Sequence, residues 1–252
     1  MNNLKRILTI TAASAVVVAT QADTPTDGAT NSLPKPTQYP WVSEATAGLT
    51  IARGNSDIVL FNAKIGTQKK TPKNEYMFGA DGAYGKSDGV ENAESFHGNG
   101  QYNHLFSERF YGLINADALK DGIQDIKYRL AMNPGVGYYF IKSKPTTLGT
   151  EVGPGIVTQK LGHQESTFAD IRVAEHLDQV LTASARLWEK AELLTQANKT
   201  ENYYANFEIG VETAISKTLG LQLTLNDSYV NQPAQGRKNN DIRLIGGVSY
   251  KF

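Results

Sequence analysis

From Trp41 to its last residue the chain repeats one device: a run of about ten residues alternating apolar and polar side chains, closed by a turn. Successive side chains of a β-strand point to opposite faces, so each run has one apolar face and one polar face. The final run, DIRLIGGVSYKF, shows this most plainly. Ile242, Leu244, Gly246, Val248, Tyr250 and Phe252 share one face, and Arg243, Ile245, Gly247, Ser249 and Lys251 share the other. Such strands suit either an edge of a soluble sandwich or the wall of a transmembrane barrel, whose apolar face meets lipid and whose polar face meets the lumen. An aromatic last residue gains nothing by fraying into water, which favours the barrel. A mean hydropathy of −0.37 agrees with it, because a barrel needs only every other residue to be apolar.

Twelve such runs are expected. The first, Ser43 to Arg53, puts Ala47, Leu49 and Ile51 outward. The second puts Val59, Phe61, Ala63 and Ile65 outward, and the third Tyr76, Phe78, Ala80 and Tyr84. The fourth, ESFHGNGQYNH, is marked only by Phe96 and Tyr102. The fifth carries Phe110, Gly112, Ile114 and Ala116. The sixth carries Ile126, Tyr128, Leu130, Met132, Val136 and Tyr138, with a bulge expected at Pro134. The seventh spans Leu148 to Thr158, and the eighth shows Ala169, Ile171, Val173 and Leu177. The ninth, LTASARLWEKAELL, also fits a helical stripe, and is taken as a strand because the neighbours demand an even number. Tyr203 to Val211, Leu219 to Leu225 and the terminal run complete the set; ten or fourteen strands remain alternatives. Started from the periplasm, QKKTPKNE, HLFSER, IKSKP, LDQ and SKTLG become short periplasmic turns. KSDGVENAE, LLTQANKTEN and VNQPAQGRKNND become longer outer loops. Phe106, Phe110, Tyr138, Tyr139, Phe140, Tyr203, Tyr204, Tyr229 and Tyr250 cluster near strand ends, as interfacial rings do.

Composition sharpens this. Lys5 and Arg6 followed by the apolar stretch Ile7 to Thr20 and Thr20-Gln21-Ala22 read as a signal peptide, residues 1–22, cleaved after Ala22. Residues 23–40, rich in Pro, Thr, Asp and Gly, read as a flexible periplasmic leader, and residues 41–252 as the barrel domain. There is no cysteine, which excludes disulfides, thiolate metal sites and cysteine nucleophiles. A net charge of zero gives no basic patch for nucleic acid.

Trp41, the Gly48-Leu49 pair and ARGNSD, with the later HLFSERFYG, NPGVGYY and terminal Tyr250-Lys251-Phe252, resemble the YdiY-like family of salt-induced outer-membrane proteins, a domain of unknown function. The resemblance covers residues 41–252 and implies a Gram-negative outer-membrane barrel; it supplies no substrate and no catalytic residue. Tyr250 and Phe252 likewise resemble the signal read by outer-membrane assembly machinery. The partners implied are outer-membrane lipid, that machinery and periplasmic chaperones.

On the polar face, Lys64, Lys127, Arg129, Arg172, Arg186, Lys190 and Arg243 are basic candidates for lining the lumen. Asp81, Asp117, Glu151, Asp170, Glu208 and Glu212 are acidic ones. A charged ring sets selectivity in a narrow pore, so one expectation is a channel for small polar or charged solutes. The alternative is a structural or salt-stress barrel whose mixed charges pair and plug the lumen. A lipid-modifying enzyme is a third class: Ser95 and His97 share a face, but no acid is seen in the sequence to orient the histidine. No catalytic residue and no cofactor is therefore assigned. His176 with Asp170 and Asp178 reads as a solvated cluster rather than a metal site.

Overall fold

The computed structural model describes residues 39–52 and 58–252. The expected signal peptide, most of the expected leader and residues 53–57 of the ARGNSD motif lie outside them. Every regular element described is a strand: β1 (Val42–Ala52), β2 (Ile58–Lys70), β3 (Asn74–Ser87), β4 (Val90–Leu105), β5 (Phe110–Asp121), β6 (Ile126–Lys142), β7 (Thr146–Leu161), β8 (Gln164–Val180), β9 (Ala185–Gln196), β10 (Lys199–Ala214), β11 (Leu219–Val230) and β12 (Asn240–Lys251). Each pairs antiparallel with its sequence neighbours, and β12 returns to β1, closing an up-and-down barrel of twelve strands. Closure satisfies the backbone within the wall, which is the condition for crossing a membrane with strands. No described helix is long and apolar enough to cross one.

Alternation decides the two faces. Leu49, Phe61, Phe78, Ile114, Leu130, Met132, Ile156, Leu223 and Leu244 are exposed on the outside, while Asn62, Asn103, Asn115, Arg129, Asn133, Glu151, Asp170 and Glu212 are buried inside. An apolar exterior around a polar, packed interior inverts the soluble pattern and matches a wall bathed in lipid. Strands of 11 to 17 residues meet or exceed the roughly nine to eleven needed to span a bilayer, so the longest project beyond it.

At the rim carrying the start of β1 and the end of β12, here the terminal rim, five turns share one device. Thr71, Ser107, Ser143, Thr182 and Ser216 each place a hydroxyl oxygen where it accepts a backbone N–H two or three residues on. These local bonds satisfy donors that the ladder leaves free. Two of the turns lie elsewhere than expected. The LDQ turn belongs to β8, which runs on to Val180, and the chain reverses at Leu181 to Ser184, so Leu181 and Ala183 are not part of the ninth strand. The first turn narrows to three residues beginning at Thr71.

The expected long loops at the distal rim are mostly absent from the described chain. KSDGVENAE is strand except for Asp88 and Gly89, whose φ angles of 51° and 80° fit a two-residue hairpin turn with positive φ at both positions. LLTQANKTEN narrows to Ala197 and Asn198. Polar residues there continue the ladder above the lipid, where a strand needs no apolar face. Among the described connections at this rim, only that from β11 to β12 is long.

Two irregularities also differ from expectation. Pro134 sits in an uninterrupted register between Met132↔Ile156 and Val136↔Val152, facing outward without a bulge. The bulges of β6 fall instead near its ends, between Ile126 and Tyr128 and between Tyr139 and Ile141. The first shifts the parity, so that Ile126 turns inward and is buried. Tyr139 and Tyr204 also point inward and are buried, while the other expected interfacial rings stand on the outside or the rim. Tyr250 and Phe252 are exposed and stacked, with ring centroids 5.9 Å apart.

Candidate functional site: the lumen

Side chains from strands far apart around the wall meet inside the barrel. Lys64 on β2 reaches Glu208 on β10 at 2.9 Å, although four strand steps separate them around the wall. Lys190 approaches the same carboxylate at 3.8 Å, and the Trp188 indole N–H donates to it at 2.8 Å. Beside this bridge, the His97 ring lies between two carboxylates, with Nδ1 2.9 Å from Asp81 and Nε2 2.5 Å from Asp117. Asp81 and His97 are direct cross-strand partners, so the register itself brings them together.

A second cluster fills the terminal half beneath β8 to β1. Arg186 faces Glu212 at 3.3 Å, Asp178 at 3.4 Å and Glu44 at 3.7 Å. Lys251 lies 2.8 Å from Glu212, and the Ser249 hydroxyl donates to that carboxylate at 2.9 Å. A third lies against β3 to β8. Arg172 holds Glu151 at 2.8 Å and Glu192 at 2.6 Å. Tyr111 and Gln101 also donate to Glu151, and Tyr139 and Asn103 donate to Glu75. Leu105, Tyr111, Leu113 and Tyr139 form an apolar patch inside the lumen here, against which these ionic groups are desolvated.

Toward the distal rim, Arg243 spans from β12 to Ser95 on β4 at 3.0 Å and to Asp121 on β5 at 3.7 Å, with Asp241 at 3.5 Å. Arg129 does not face a pore. Its guanidinium stacks 3.6 Å over the Tyr204 ring and donates to Gln159 at 2.9 Å. Tyr204 packs in turn with Leu194, Val230 and Phe168. Asp170 accepts from Asn133 at 2.7 Å and is almost fully buried.

Lys127 is the expected lumen residue that the structure places elsewhere. The bulge at its position leaves it exposed near the distal rim, 2.9 Å from Asp125. The Lys127 ammonium holds the Asp125 carboxyl, in the turn, below the usual carboxylate range.

Glu44, Glu75 and Glu192, and the lumen positions of Tyr111 and Tyr139, were not evident from the sequence. Parity would have found Glu75, which shares a face with Asp81 on β3. His97 has two neighbouring acids, yet its ring nitrogens are both occupied by them, and Ser95 accepts from Arg243 instead. The pair is therefore not arranged as nucleophile and base. His176 packs edge-on to Tyr139. Among the described residues no group of three or more His, Cys, Asp or Glu is placed to hold a metal ion.

A closed antiparallel wall with an apolar exterior, aromatic rims and a charged interior defines a transmembrane β-barrel of the outer-membrane class. Residues 45–252 match the family model described as a protein of unknown function, DUF481, and the chain belongs to that family, in agreement with the resemblance drawn from its motifs. No curated relative matches it by sequence. Among solved structures it is similar to the NanC porin, at 9% identity and a TM-score of 0.51, covering 84% of this chain and 100% of that one. It is also similar to the translocator domain of the autotransporter NalP from Neisseria meningitidis, at 14% identity and a TM-score of 0.49, covering 87% and 91%. LpxR from Salmonella typhimurium aligns at 9% identity and a TM-score of 0.46, covering 84% and 99%. At such identities the likeness is one of fold.

Proposed function

We propose that this protein is a Gram-negative outer-membrane barrel whose lumen is closed to free diffusion by ion pairs, a structural or stress-response element of the membrane rather than an open pore. In this reading the chain is exported by a signal removed after Ala22 and meets periplasmic chaperones. The assembly machinery inserts it, reading Tyr250 and Phe252. The observation that carries the proposal is the bridge from Lys64 to Glu208 and Lys190, which spans the lumen near mid-barrel between strands four steps apart around the wall. Paired charges of this kind neutralise the field that would otherwise select and conduct an ion.

A second reading is a narrow channel for small polar or charged solutes. It is favoured by the exposure of the Lys64 and Lys190 side chains, 43% and 61%, which leaves both room to swing aside. Planar-bilayer recording separates the two. The closed reading expects silent membranes from folded protein and discrete steps once Lys64→Ala is combined with Glu208→Gln. Stable steps from the unaltered protein, with a selectivity that these substitutions shift, would establish the channel instead.

A further inference from the structure

The exterior of the wall carries unpartnered charge in one region. There β8, β9, β10 and β11 lie side by side, and their registers align two outward rows. One row is Glu175, Ala191, Phe207 and Asp227, and the next is Val173, Leu193, Ala205 and Tyr229. Glu189 also faces outward, opposite Leu177 and Ile209. Along its strand Glu175 stands between Val173 and Leu177, Glu189 between Leu187 and Ala191, and Asp227 between Leu225 and Tyr229. All three carboxylates therefore interrupt the apolar stripe that meets lipid elsewhere, where ionisable groups are costly. Other outward carboxylates, near strand ends, have partners. Lys120 holds Glu94 at 2.9 Å, and the Tyr128 hydroxyl donates to Glu165 at 2.6 Å. Among the described residues no ion pair or side-chain hydrogen bond reaches Glu175, Glu189 or Asp227, and Asp227 Oδ1 is sealed from solvent without a donor. The cations of the same strands, Arg172 and Lys190, point into the lumen.

A groove of about 360 Å³ lies between Glu175 and Asp227, lined mostly by the two outward rows. Its floor is low because Ala191 and Ala205 are small, and Leu193 and Phe207 stand beside them. Ala174, Glu192 and Asn206 border it from the inward set. Of these, Glu192 is held by Arg172 at 2.6 Å and Asn206 accepts from Ser228 at 3.1 Å, so the carboxylates left for a partner are Glu175 and Asp227. Small residues let another chain approach closely within a membrane, and polar side chains pair across such contacts. The carboxylates fix the sign of what approaches. Glu175 and Asp227 are three strand steps apart, roughly 14 Å at the usual strand spacing. That is too far for one ammonium to serve both, which favours a protein surface over a single amphiphile. A second copy of this chain is not complementary. Two-fold contact through this face would set acid against acid, and the outward Lys69, Lys86, Lys120 and Lys160 stand at strand ends, beyond the apolar stripe.

We propose that the outward face of β8 to β11 is the docking surface for a different membrane-embedded protein, one that presents lysine or arginine side chains on an apolar face. Its cations meet Glu175 and Glu189 at one end and Asp227 at the other, and an apolar side chain seats in the groove over Ala191 and Ala205. This surface is independent of whether the lumen conducts.

The test is photocrosslinking of the full chain in its native membrane, with a benzophenone amino acid in place of Leu193 and, as a control on β2, in place of Phe61. Adducts are mapped by mass spectrometry. The expected result at Leu193 is an adduct to one protein, through a peptide that carries lysine or arginine within an apolar run. That adduct should weaken several-fold when Glu175→Gln, Glu189→Gln and Asp227→Asn are combined, changes that keep side-chain size and remove charge. Adducts to lipid alone, as expected at Phe61, overturn the proposal. So does a protein adduct that the neutral variant leaves undiminished, or one to a second copy of this chain. If the neutral variant does not reach the membrane, Ala205→Leu fills the groove with the carboxylates intact and is judged by the same outcomes.

Discussion

The two sides of the lumen hold their charges differently. Against β3 to β8, Arg172 and Glu151 keep 9% and 4% of their side chains exposed, and aromatic hydroxyls and amides complete their hydrogen bonding. Toward β1, β2 and β12, Lys64 and Lys251 keep 43% and 39% exposed. The first side is a core in which the Arg172–Glu151 pair is desolvated and held by several hydrogen bonds. The second is a set of bridges in contact with water. A buried pair that loses one member strands a charge, whereas an exposed pair gains little over solvation, so the same substitution has different costs on the two sides.

This contrast is best broken first at Glu151. Glu151→Ala leaves Arg172 with only Glu192 and removes the acceptor of Tyr111 and Gln101. A loss of about 3–5 kcal/mol is expected in urea unfolding of the detergent-folded barrel. A loss below that of an exposed pair would show that the packed side is wet. Next in size, Tyr139→Phe deletes the hydrogen bond to the Glu75 carboxylate and should cost about 1.5–3 kcal/mol by the same assay. Gly155→Ala probes the backbone of that side. Its Cβ would collide with the Asn133 amide and stand 2.6 Å from the Met132 carbonyl oxygen, so about 1–3 kcal/mol of strain is expected from melting in detergent. Smallest in stability is Lys64→Ala, below about 1 kcal/mol and weaker still in high salt. Were it as damaging as Glu151→Ala, the two sides would not differ.

The strand number and the two faces were legible because they rest on a period of two, which each segment carries within itself. The tenth and twelfth runs needed nothing else. Turn positions were harder: KSDGVENAE is polar enough for a loop, yet a strand standing above lipid is polar too, and only Asp88 and Gly89 reverse the chain. Lys127 was misplaced because a bulge changes parity without any mark in the sequence, and the more conspicuous Pro134 makes none. The lumen contacts were the least legible. That Lys64 meets Glu208, or Arg243 meets Ser95, depends on how far the closed sheet curves and staggers, a property of all twelve strands together. His97 between Asp81 and Asp117 was nearer to hand, since hairpin register alone sets Asp81 opposite it.

The strand order carries a kinetic consequence. All pairings but one join sequence neighbours across a turn, and at the terminal rim a hydroxyl tightens each turn locally. Those hairpins have short loops to close and little entropy to lose. The pairing of β1 with β12 must instead bring together the two ends of the barrel sequence, and it does so with the fewest rungs. Folding should therefore be slowest at that last step, with a curled, unclosed sheet as the species that waits for it.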